Sequence, residues 1–122
     1  MANAINWFEI PAANFDRAVK FYSDVLGAEL PINEIMGSKL AFFPSEQGKV
    51  GGCVATGEGY KPSDSGTLVY LNGGDDLAVP LGRVEKAGGK VVQPKTKISD
   101  EIGYFAIIKD TEGNRVAFHS MT

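Results

Sequence analysis

Reactive and metal-binding side chains are scarce in this chain. Its 122 residues include one cysteine, Cys53, one histidine, His119, and one tryptophan, Trp7. A single cysteine excludes an internal disulfide framework and an all-cysteine zinc site. A single histidine leaves a serine–histidine–aspartate arrangement with nothing beyond His119 to build on. Basic charge is not in excess. The formal charge is −3 and no basic run occurs, so neither nucleic acid nor an anionic membrane is an expected partner. No apolar run approaches the length of a membrane-spanning helix, and no charged-then-apolar leader opens the chain, so a cytoplasmic location is the expectation. The signatures of phosphate-binding loops, dinucleotide-binding turns, zinc proteases and nucleophile elbows are missing as well.

What is present is an order of elements that occurs twice. Residues 5–10 are rich in β-branched and aromatic types and stop at Pro11, which cannot donate to a sheet ladder. Asn14 is placed to cap a helix whose apolar face is Phe15, Val19, Tyr22 and Leu26, widened by Ala18 and Val25. Asp16 suits the positive end of that helix, and Gly27 sits where a left-handed residue would stop it. Strands are predicted over 29–35, 39–43 and 51–56, with Gly37-Ser38 as a turn. A loop rich in glycine and charge then covers 57–65.

The pattern restarts with a strand over 67–71. Asp75 or Asp76 caps a second helix with Leu77, Leu81, Val84 and Ala87 on one face, Pro80 early in it, and Gly88-Gly89 at its end. Strands over 90–97, 103–109 and 114–120 follow, the last two joined by the short turn 110–113. The prediction is an α+β fold of two βαβββ modules in one domain, residues 1–122. Module 1 covers about 1–56, the linker 57–65 and module 2 about 66–122. Neither half has enough apolar surface to stand alone. The strands are expected around a shared concave sheet with the helices outside.

Three stretches carry a resemblance. They are WFEIP…FDRAVKFYSDVLG, GTLVYLNGGDDLAVPLGRVEKAGGKVV and IKDTEGNRVAFHS, the last with Thr111 where proline is usual. Together they resemble the vicinal oxygen chelate superfamily of glyoxalase I, bleomycin-resistance proteins and extradiol dioxygenases, and within it the lactoylglutathione-lyase-related group. The resemblance covers nearly the whole chain. It implies the paired-module fold, and it leaves the reaction open because the superfamily hosts lyases, epimerases, oxygenases and binders.

The resemblance also implies four inward positions that hold a divalent ion in metal-dependent members. Here they fall on Trp7, on Gly52 or Cys53, on Thr67 and on Ala117. Of these only Cys53 is a good metal ligand. The expectation is therefore a member without the usual metal site and without a cofactor. A divalent ion would need a displaced site built from Glu9, His119 and Cys53. Strand alternation puts Glu9 on the face of Trp7, and His119 on the face of Ala117. The first and last strands are neighbours in this fold, so Glu9 and His119 are expected to approach one another, as a base with its orienting acid.

Two functions follow. One is the binding of an apolar or aromatic compound in a cup lined by Trp7, Cys53, Thr67, Val69, Leu71 and Ala117. The other is a lyase or isomerase reaction beside a carbonyl, run by Glu9 and His119. A homodimer is the expected assembly. Plainer roles stand beside these: a strand glutamate in an ion pair, a terminal histidine as a surface hydrogen-bonder, Cys53 as a small buried hydrophobe. Tyr60 and Lys61, in the linker, are placed to fold over the cup mouth.

Overall fold

A computed structural model describes residues 3–122. The elements run β1 (Trp7–Pro11), α1 (Phe15–Leu26), β2 (Ile32–Ile35), β3 (Ser38–Phe42), β4 (Gly51–Thr56), β5 (Val69–Asn72), α2 (Ala78–Leu81), β6 (Lys90–Ser99), β7 (Gly103–Lys109) and β8 (Arg115–Ser120). They form two four-stranded mixed sheets, ordered β1-β4-β3-β2 and β5-β8-β7-β6. In each sheet the first strand of the module runs parallel to the last, and the remaining pairs are antiparallel. The α+β, two-module βαβββ architecture is thus present.

The local signals act as their chemistry dictates. Asn14 accepts from the Arg17 amide and Gly27 is left-handed at φ 65°, so α1 starts and stops where capping requires. Its apolar stripe buries Phe15, Ala18, Phe21, Tyr22 and Val25. One core takes residues from both modules, with Ile10, Val25 and Val54 in the same cluster as Ile108, Val116 and Phe118. Each module thus buries part of its apolar surface in a core shared with the other.

Several boundaries differ from expectation. β2 starts at Ile32 rather than 29, because Pro31 has no amide to give the ladder. The turn into β3 is Met36-Gly37, both with positive φ, as a two-residue hairpin turn needs. β5 starts two residues late, at Val69. The second helix is only four residues long. Beyond Gly82 the chain continues as turns with tighter bonds, Arg83 to Pro80 and Val84 to Leu81, yet Leu77 and Val84 are fully buried as the helical spacing implies. β6 runs to Ser99 and tolerates Pro94 because it is the edge strand of its sheet.

The modules are locked together within the chain by the turn between β7 and β8. The buried Asp110 accepts from the Tyr22 hydroxyl (2.7 Å), the Glu112 and Asn114 amides and the Asn114 side chain. Asn114 in turn donates to the Pro11 carbonyl (2.7 Å). Glu112 accepts from the Ala13 and Asn14 amides at the start of α1 and from the Arg17 guanidinium at 2.7 Å. A carboxylate from module 2 therefore caps the helix of module 1.

Candidate functional site

Each sheet has one face on the core and one open face without a helix. On β1, Phe8 and Ile10 face the core while Trp7 and Glu9 stand on the open face. On β8, Val116 and Phe118 face the core while Ala117 and His119 stand on the open face. The alternation read for these two strands is the one observed.

On β5 the parity is reversed from the expected one. Val69 and Leu71 pair with Val116 and Phe118 and pack into the core. Tyr70 and Asn72 pair with Ala117 and His119 and take the open face. The correction has a simple cause: in a short apolar run the more apolar set turns inward, and here that set is Val69 and Leu71. Leu71 still reaches the rim of two clefts from below. Thr67 precedes β5 and lines a junction cleft with Glu9, Ser63, Asn114 and Arg115.

Glu9 is the polar centre of the first sheet's open face. The Tyr60 hydroxyl donates to it at 2.7 Å, the Trp7 indole at 3.4 Å and the Cys53 thiol at 3.9 Å. Trp7 meets Phe42 edge-on at a centroid distance of 5.8 Å. The linker thus folds over β1 through Tyr60, and Ser63 and Asp64 tie it further to Asn114 and Lys109. Burial, then the neighbouring Glu9 charge, pushes the Cys53 thiol up to about 12. Cys53 is a protonated donor here, not a thiolate nucleophile. The bond to Glu9, with some burial, also raises Tyr60 and keeps it a donor.

His119 lies elsewhere. Its Nε2 bonds the Ile102 carbonyl. With Tyr70, Asn72, Ile98, Ile102 and Met121 it lines an open cleft of about 620 Å³ at the end of the second sheet. A second cleft of about 480 Å³, between the modules, shares the rim Tyr70, Leu71, Asn72 and Gly74. Glu9 and His119 share neither a hydrogen bond nor one of these clefts, and their strands belong to different sheets. The expected acid–base pair is not formed.

The four positions that would hold a metal do not make a donor set. Gly52 faces the Phe8 ring on the core side, which leaves Cys53 as the open-face position of β4. Trp7 and Ala117 carry no donor a hard cation would take. Cys53 meets Glu9, but His119 does not join them, and among the described residues no group of three His, Cys, Asp or Glu side chains is placed to hold an ion. Among the same residues, no buried side-chain polar atom is left without a partner. The residues present do not fit the group.

The chain belongs to the Glyoxalase/Bleomycin resistance protein/Dioxygenase superfamily, which it matches over residues 4–118. It is 36% identical over 115 residues to a glyoxylase-like domain-containing protein of Didymella fabae, covering 90% of this chain and 88% of that one. Its fold is shared with a glyoxalase/bleomycin resistance protein from Albidiferax ferrireducens at a TM-score of 0.75 and 15% identity, covering 95% and 97% of the two chains. It is also shared with TnmS3, an antibiotic binding protein from Streptomyces, at 0.64 and 18%, covering 100% and 99%. A mutant glyoxalase I from Zea mays matches at 0.68 and 16%; 95% of this chain aligns with only 45% of that protein, so the chain spans about half its length.

Tyr70 and Asn72 are site residues without a role in the sequence reading, although Tyr70 alternates with Val69 and Leu71. Tyr60 is expected over the cup mouth, but its partner Glu9, far away along the chain, had no signal in the sequence.

Proposed function

We propose that this chain is a metal-independent binding protein for a flat apolar or aromatic small molecule, held on the open face. The observation that carries the reading is a half-exposed aromatic side chain at concave surface. Tyr70 is 52% exposed and forms part of the rim shared by the two clefts, while Trp7, 46% exposed, stands on the open face of the first sheet. Large aromatic side chains left in water beside concave surface are the usual mark of a ligand site. Asn72 and His119 are the polar groups of the larger cleft that would orient the ligand. The reading invokes no ion. It is supported by the want of a group of three His, Cys, Asp or Glu side chains placed to hold one among the described residues. That a neighbour of the same fold is an antibiotic binding protein supports the reading. The lyase or isomerase alternative loses its support, because it needs Glu9 and His119 on one substrate.

Trp7 is the sole tryptophan and therefore reports on its own face. The test titrates the chelator-treated protein with anilinonaphthalene sulfonate (ANS), following energy transfer from Trp7 and checking that the protein stays folded by near-ultraviolet circular dichroism. Saturable one-to-one binding, unchanged by added divalent metal, is expected. Binding that appears only after a metal is restored, or no binding to the folded protein, would overturn the proposal.

A further inference from the structure

The cleft at the end of the second sheet carries more than an apolar wall. Asn72 and His119 are register partners on adjacent parallel strands, so their side chains leave the same open face from strands about 4.8 Å apart. Each is already fixed in orientation by a backbone group. The Gly74 amide donates to Asn72 Oδ1 at 2.8 Å, which turns the Asn72 Nδ2 amino group away as a free donor. The Ile102 carbonyl can only accept, so His119 Nε2 carries the proton, and in the neutral ring Nδ1 is a bare acceptor. Among the described residues neither Asn72 Nδ2 nor His119 Nδ1 has a hydrogen-bond partner. One free donor and one free acceptor thus belong to register partners on the same face. Tyr70 lies one pleat along on the same face, and Ile98, Ile102 and Met121 supply apolar wall.

We propose that this pair reads the N–H/C=O edge of a lactam-type heterocycle: a flat ring whose amide is held cis by the ring. The ligand N–H donates to His119 Nδ1, and its carbonyl accepts from Asn72 Nδ2. The ring lies against Tyr70 and the isoleucines. This inference rests on the binding function proposed above and names the ligand class of the same face. A simple aromatic hydrocarbon would leave both polar groups bare, so the pair discriminates by chemistry rather than by size.

The test uses 2-quinolone as the lactam probe, N-methyl-2-quinolone as the probe lacking the N–H, and ANS as the probe that ignores the edge. Isothermal titration calorimetry on wild type is expected to show 2-quinolone binding about tenfold tighter than its N-methyl form, the loss of one hydrogen bond with its partner left bare. Asn72→Asp keeps an oxygen for the Gly74 amide, and so keeps the turn, but replaces the donor with an acceptor. It is expected to weaken 2-quinolone about tenfold, with the circular dichroism spectrum unchanged. His119→Phe is expected to bring the two quinolones to equal affinity. If ANS binds while 2-quinolone fails to bind, or binds no better than its N-methyl form, the lactam reading is wrong and the binding function stands. If neither ANS nor 2-quinolone binds, both fall together.

Discussion

Removing the Tyr22 hydroxyl tests how the two modules are held. Tyr22 is fully buried, and its hydroxyl donates to Asp110 at 2.7 Å across the module boundary. Burial, and then the Asp110 charge, raises the phenol well above its ordinary range, so it remains a donor at any working pH. Tyr22→Phe keeps the ring, with its edge-on contacts to Phe21 and Phe43, and deletes one hydrogen bond to a charged group. Such a bond contributes about 1.5–3 kcal/mol. Taking about 2 kcal/mol, and an unfolding entropy of roughly 0.26 kcal/mol/K for a chain of this length, the melting temperature should fall by about 8 °C. With a urea slope of roughly 1.5 kcal/mol/M, the midpoint should fall by about 1.3 M with the slope unchanged. The same substitution in an Asp110→Asn background should cost only about 1 kcal/mol, because the acceptor there is neutral. A loss below about 0.5 kcal/mol in the wild-type background, or the same loss in both backgrounds, would refute the charge-assisted bond as the lock.

Other expectations follow from the same contacts. Burial pushes Glu112 up, but the bonds from Arg17, the Asn14 amide and Thr111 outweigh it and hold the carboxylate below its usual 4.5. Its contribution is therefore full above about pH 4.5 and lost as pH falls through the lower folded value. The urea midpoints of wild type and Glu112→Gln should converge between pH 5 and 3, and a constant gap would contradict this. Cys53, buried with its thiol pushed up to about 12, should react with a disulfide reagent at pH 8 about a thousandfold slower than a free thiol. Rapid labelling of the folded protein would show that the thiol is accessible. Gly103 and Gly113 both have positive φ, but a Cβ at Gly103 would lie 2.4 Å from the Ser120 carbonyl, whereas one at Gly113 would meet nothing within 4 Å. Gly113→Ala should cost about 1 kcal/mol and Gly103→Ala at least about 3, read from urea unfolding. Equal costs would argue against the tight packing of β7 on β8.

What could be read from the amino acids alone was whatever depends on near neighbours. Asn14 and Gly27 bound α1 through groups three and four residues away. The period-two alternation of Trp7–Pro11 and of Arg115–Ser120 assigns Glu9 and His119 to the open face, because each polar residue is flanked by an apolar one that goes to the core. The match of three stretches to one family carried the order of elements with it. Where the signal was flat the reading slipped. Residues 67–71 offer an apolar side chain at most positions, so the local contrast that turns Val69 and Leu71, rather than Tyr70, to the core is slight.

The site itself was decided in three dimensions. Tyr60 reaches Glu9 from 51 residues along the chain, Glu112 reaches the Asn14 amide from 98, and His119 is oriented by the carbonyl of Ile102 on the neighbouring strand. Such bonds have no sequence period, since the loop lengths and the packing of two sheets on one core determine them. For the same reason Glu9 and His119, each correctly assigned to an open face, did not become a pair. Alternation sets the direction in which a side chain leaves its own strand. Whether two side chains on different sheets meet is set by how the sheets pack, and here Glu9 and His119 each find another partner.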